Sequence, residues 1–149
     1  MKFYHGTDLA SGLEIMKNGF HPQNQVFNCS DEEMVYMAGE NMNYWDNEST
    51  QFEELQAVEF AVEAAQIASA DKNSMERDVI VFEIEMDESL VEPDDSCDGM
   101  SDCYQIEATA LNQYLLNGKA KLKAFRFYRQ YEGRQHFNET VLRVLIPAL

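Results

Sequence analysis

Near the start of the chain, Tyr4-His5-Gly6-Thr7 brings together residue types that can grip a small polar ligand. Imidazole is a directional donor and acceptor. Glycine lets a ligand approach the backbone, because no Cβ stands in the way. The same tripeptide also fits a plain strand-to-helix turn with a capping His. Other catalytic constellations are missing. No Gly-x-Ser-x-Gly elbow, Gly-rich phosphate loop or GxGxxG occurs. His5, His21 and His136 are too scattered to argue a metal site from spacing, so no metal is expected. Cys29 precedes a helix-capping signature and could face a helix N-terminus, although such a Cys is commonly a small core residue.

The composition narrows the class. With 149 residues, 45% of them hydrophobic, the chain suits a single domain, 1–149, with a real core. Net charge is -16 and the pI about 4.3. Such a surface repels phosphate backbones and anionic membranes, so neither nucleic acid nor membrane is expected as a direct partner. Six of the eleven Lys and Arg fall at Lys119, Lys121, Lys123, Arg126, Arg129 and Arg134. They read as the solvated side of a strand, or as a patch for dinucleotide phosphates or an acidic partner. The three cysteines, Cys29, Cys97 and Cys103, form no CxxC or zinc pattern and are expected as free thiols. No secretory signal and no apolar run near ~18 residues is found, which points to a cytoplasmic protein.

The elements that position these residues follow from pattern. Phe3-Tyr4 ends a first strand, and Asp8 caps a helix bearing Leu9, Leu13 and Met16 that Gly19 stops. Val26-Phe27 is a short strand. Ser30-Asp31-Glu32-Glu33 is a capping box that opens a helix through Met34, Tyr36, Met37 and Ala38. Tyr44 and Trp45 lie in a partly buried loop. A longer helix runs from about Phe52 to Ala70, favoured by six alanines. Val79 to Met86 is the clearest strand; Pro93 to Ser101 is loop. Cys103 to Glu107 is a short strand, Leu111 to Leu116 a short helix or turn, and Leu122 to Tyr128 and Thr140 to Ile146 are strands. Helices concentrate in the first half and strands in the second, which reads as α+β.

In this order of elements the chain resembles the His-Tyr-Glu branch of the ADP-ribosyltransferase superfamily. That branch holds the diphtheria-toxin-like and poly(ADP-ribose) polymerase enzymes and small phage proteins, including anti-CRISPR types. Tyr4-His5-Gly6-Thr7 is the best match, with the helix end Gly19-Phe20 at the usual distance. Val81 to Asp87 and on through Pro93-Asp94 looks like the family's central strand and following loop. Asp102 to Leu116 is similar to its acid-bearing strand and helix.

The resemblance implies a split β-sandwich with helices from the N-terminal half packed around it, holding NAD+ in a cleft as substrate. His5, Gly6 and Thr7 belong to the cofactor-binding set: His5 on the adenosine-side ribose, the Gly6 backbone on the nicotinamide carboxamide. The family's first stacking Tyr is replaced by Phe27, and Tyr36 lies near its second. The acid, usually Glu, corresponds to Asp102, Glu107 or Asp98. Asp is one methylene shorter than the family's Glu. The pair Gln105-x-Glu107 superficially suits the superfamily's other branch, whose Arg and Ser-Thr-Ser strand are missing here.

Two functional classes follow. One is a mono-ADP-ribosyltransferase modifying a basic protein, such as a phage inhibitor of a host nucleic-acid-binding defence protein. The other is a non-catalytic acidic protein that mimics nucleic acid in a basic groove. An NAD+ glycohydrolase toxin is a third reading, close to the first in chemistry.

Overall fold

A computed structural model describes residues 1–20, 34–42, 53–71, 78–94 and 102–128. Strand β1, Lys2–Asp8, leads into helix α1, Leu9–Asn18; β2 is Met34–Gly39 and helix α2 is Glu53–Asp71. Strand β3, Asp78–Met86, passes through a 3-10 turn at Glu88–Leu90 to the two-residue β4, Glu92–Pro93. Strand β5, Cys103–Glu107, runs into helix α3, Ala108–Asn117, and β6 is Ala120–Tyr128. The described fold is mixed α+β: three helices and one open six-stranded sheet ordered β4-β5-β2-β1-β3-β6, with every pair antiparallel.

Alternation along the central strands fills both faces. Phe3, Ile80, Phe82 and Ile84 join Ile15 of α1 and Leu111 of α3 in one core. Tyr4, Val79, Val81 and Phe127 join Ala57, Ala61 and Ala65 of α2 in the other. Phe3, Phe82, Ile84 and Leu111 are fully buried, and burying a side chain of that size stabilises by about 1.5–3 kcal/mol. The alanines recur every four residues, so α2 presents a smooth stripe to the sheet. A Cβ at Gly6 of β1 would overlap the Ala61 carbonyl.

Helix α1 starts as expected. Asp8 is its N-cap, accepting from the Ser11 N–H at 3.2 Å. Gly19 ends it at φ 87, its N–H donating to the Ile15 carbonyl at 2.7 Å. Leu13, one of the apolar residues whose spacing marks the helix, is 52% exposed; Ser11, Gly12 and Ile15 face inward.

Two expectations are corrected. Met34 to Ala38 is strand, not helix. Val35 and Met37 enter one core and Ala38 the other, and pairing on both sides overrides the helix preference of Met and Ala. His5-Gly6-Thr7 is not a turn after the first strand but its interior, in register with Phe82, Val81 and Ile80. The short helix or turn expected at Leu111 to Leu116 is helix α3. The strands expected at Val26-Phe27 and Thr140 to Ile146 lie outside the described residues, as do Tyr44, Trp45, His21, His136, Cys29 and Cys97. Cys103 is buried. No described helix is long and apolar enough to cross a membrane.

Candidate functional site

The pairing of β1 with β2 is short. Phe3 lies opposite Gly39 and Tyr4 opposite Ala38, and the described ladder goes no further, although β1 continues to Asp8 and β2 reaches back to Met34. Successive residues of a strand send their N–H and C=O to opposite neighbours. The Glu40 N–H donates to the Lys2 carbonyl at 3.0 Å, so the backbone groups of Lys2, Tyr4 and Gly6 face β2. On β2, the Gly39 N–H donates to the Asp102 carbonyl at 2.7 Å, so Gly39 and Met37 face β5 while Ala38 and Tyr36 face β1. The next rung would join Gly6 to Tyr36. Instead, His5 Nδ1 bonds the Tyr36 carbonyl at 2.7 Å. A side chain has taken the backbone's place, and the Gly6 N–H and C=O are directed into the opening.

That contact assigns the His5 tautomer. A carbonyl only accepts, so Nδ1 carries the hydrogen, and Nε2 of the neutral ring is an acceptor. Burial lowers the His5 pKa below 6.5, opposed in part by the bond to Tyr36, so the ring is neutral at pH 7. The ring packs edge-on against Phe20, centroids 5.9 Å apart, and Phe20 against Phe82 at 5.5 Å. The Phe20 backbone is held in turn by Asn112 of α3. Asn112 Oδ1 accepts from the Phe20 N–H at 3.0 Å, and its Nδ2 donates to the Phe20 carbonyl at 3.2 Å.

Thr7 sits elsewhere in function. It is buried, and its hydroxyl donates to Asp8 Oδ1 at 3.5 Å, beside the carboxylate that caps α1. Tyr36 lends its carbonyl to the opening, but its ring leaves the sheet on the Ala38 face, opposite to His5. In register, Tyr36 lies opposite Gln105 and Met34 opposite Glu107. Gln105 and Glu107 therefore share the face of the Tyr36 ring, with Glu107 diagonal to Tyr36. Diagonal positions of this kind stand about 7–8 Å apart. Glu107 is exposed, and as N-cap of α3 its side chain makes no capping hydrogen bond.

Asp102 occupies the other end of the β2–β5 ladder. It has φ 65, a conformation aspartate tolerates better than most residues. Its Oδ2 accepts from the Asn41 N–H at 2.9 Å and its Oδ1 from the Tyr104 hydroxyl at 2.6 Å. Desolvation, then the bond to Asp102 and the charges of Asp102 and Glu88, push the Tyr104 phenol far above its ordinary range. The Asp102 carboxylate is thus committed to closing the end of the sheet. Of the two described acids, Glu107 shares the Tyr36 face, opposite to His5, while Asp102 lies at the far end of the ladder; Asp98 lies outside the described residues, as does Phe27.

Among the described residues no group of three His, Cys, Asp or Glu is placed to hold a metal. Asn112 has no part in the motif-based expectations. The signal that points to it is an asparagine inside a helix, where its amide competes with the backbone unless it has a partner elsewhere. No family model matches the chain, nor does any curated protein or solved structure.

Proposed function

We propose that this chain is a mono-ADP-ribosyltransferase that cleaves NAD+ at the opening between β1 and β2 and modifies a basic protein in the cytosol. The observation that supports this reading is the missing Gly6–Tyr36 rung, with the Gly6 donor and acceptor facing the gap and His5 spanning it. A carboxamide offers the complementary pair, an N–H for the Gly6 carbonyl and an oxygen for its N–H. Nicotinamide would complete the rung. His5 Nε2 accepts from a ribose hydroxyl.

The chemistry follows from charge. The glycosidic bond breaks with its electron pair leaving on nicotinamide, and positive charge builds on the ribose. A fixed carboxylate stabilises that charge more in the transition state than in the ground state. Of the two described acids, Glu107 suits this role better than Asp102, because its side chain makes no capping hydrogen bond and it shares the Tyr36 face of the sheet; that face is opposite to His5, so the dinucleotide would pass through the opening to meet both. It also accepts the proton of the incoming nucleophile as the new bond forms at the ribose carbon. The Tyr36 ring is the described aromatic that could stack on nicotinamide. A net charge of -16 steers encounter with a basic target, such as a nucleic-acid-binding defence protein attacked by a phage.

One observation favours the non-catalytic reading. Gly6 is already required by the Ala61 carbonyl of α2, so its lack of a side chain needs no ligand to explain it. Labelled NAD+ separates the readings. The transferase releases nicotinamide and labels a protein, and Glu107→Gln lowers the rate by about 10²–10³-fold. Nicotinamide release without a labelled protein identifies a glycohydrolase. No release, together with no rise in melting temperature on adding NAD+, leaves the acidic mimic.

A further inference from the structure

We propose that Asn112 is a positioning residue: through the backbone of Phe20 it fixes the His5 imidazole in the bridging pose on the Tyr36 carbonyl, and so ties His5 to the helix that begins at Glu107. The functional half of this rests on the dinucleotide reading of the site; the positional half does not.

The chain of contacts is continuous. The Asn112 amide forms both bonds that the Phe20 peptide groups can make, at 3.0 and 3.2 Å, in the manner of a strand rung. Gly19 makes room for it. A Cβ there would stand 3.0 Å from Asn112 Oδ1, and the backbone is at φ 87. With its main chain held, Phe20 is 3% exposed and its ring is wedged between Phe82 and the His5 edge. His5 is therefore confined from behind by an aromatic whose position is set 92 residues away in sequence.

The same helix carries both ends of the arrangement. Glu107 is the N-cap of α3 and Asn112 lies in its interior, a little over one turn further on. A shift of α3 moves the carboxylate and, through Phe20, the imidazole. The geometry of the opening is thus referred to one rigid element rather than to two strands that have parted.

The test has one arm that needs no NAD+. Nitrogen-15 spectra of the His5 ring in the wild type are expected to show one neutral tautomer, with hydrogen on Nδ1. In Asn112→Ala and Asn112→Asp the ring is expected to sample both tautomers as the bond to Tyr36 loosens. Leu115→Ala, which weakens the packing of α3 but keeps the Asn112 amide, leaves the tautomer unchanged. Phe20→Leu keeps the clamp, removes the aromatic edge, and reproduces the Asn112→Ala spectrum; it serves if the Asn112 variants fold poorly. An unaltered His5 spectrum in Asn112→Ala, or in Phe20→Leu, overturns the proposal, as does an equal change in Leu115→Ala. In the second arm, Asn112→Asp is expected to raise KM for NAD+ about tenfold, with kcat within about twofold of wild type. If the spectra change as expected but the wild type neither binds nor cleaves NAD+, the positioning role stands and the dinucleotide reading falls.

Discussion

Asp102 and Glu107 are five positions apart, and an extended strand carries such residues about 17 Å from each other. Nothing in the spelling of Asp102-Cys103-Tyr104-Gln105-Ile106-Glu107 says which end of β5 meets the opening. Register with β2 decides it, and register is a long-range property. The two acids consequently differ in what their loss does. Asp102→Ala removes the acceptor of two bonds and is expected to cost about 2–3 kcal/mol in urea denaturation, whereas Glu107→Gln leaves stability near that of wild type. The capping by Asp8 and the helix stop at Gly19 were legible because they depend on neighbours in sequence. The pose of His5 was not, because its partner is a carbonyl 31 residues away. That pose has a pH signature. The folded pKa of His5 lies below 6.5, so as pH falls the unfolded chain takes up the proton first. The stability held by the neutral ring is complete above about pH 6.5 and is lost as pH drops through the window down to the folded value. Measured against His5→Gln, the wild-type melting temperature is expected to fall between pH 7 and pH 5. A constant difference would show that the ring is not shielded.

Helix α2 reaches β1 because both contribute almost nothing in side chain at their contact, Ala61 on one and Gly6 on the other. Gly6→Ala is expected to destabilise by about 1–3 kcal/mol or more, since the obstacle is backbone and cannot rotate aside. Thermal unfolding with and without NAD+ separates this structural loss from any loss of ligand. Long elements with a strong pattern were readable: α2 from its alanines, β3 from its apolar run and alternation. Strand β2 was not, for a physical reason. Its residues Met34-Val35-Tyr36-Met37-Ala38 contain good helix formers and follow a capping signature. Only flanking strands β1 and β5 make the extended form the better one. The pieces of the site on β1 could be named in advance, while their juxtaposition with β2 could not.

Across the whole molecule, a sheet packed on both faces supports a surface of net charge -16. Repulsion of that size works against compactness and favours encounter with cations. Raising NaCl from about 0.02 M to about 0.5 M shortens the screening length from roughly 20 Å to about 4 Å. The melting temperature is expected to rise by several degrees over that range, while association with a basic partner slows about tenfold or more. A melting temperature indifferent to salt would mean that the charges are already paired locally. Sheet charges give some local pairing: Glu83 bonds Lys2 at 3.3 Å, and Glu85 lies opposite Lys121. The imidazole on the Tyr36 carbonyl has one further consequence. It works as a doorstop. A shorter residue at position 5 would free the two strands to zip by one more notch, and the protein would gain a conventional seam at the expense of its doorway.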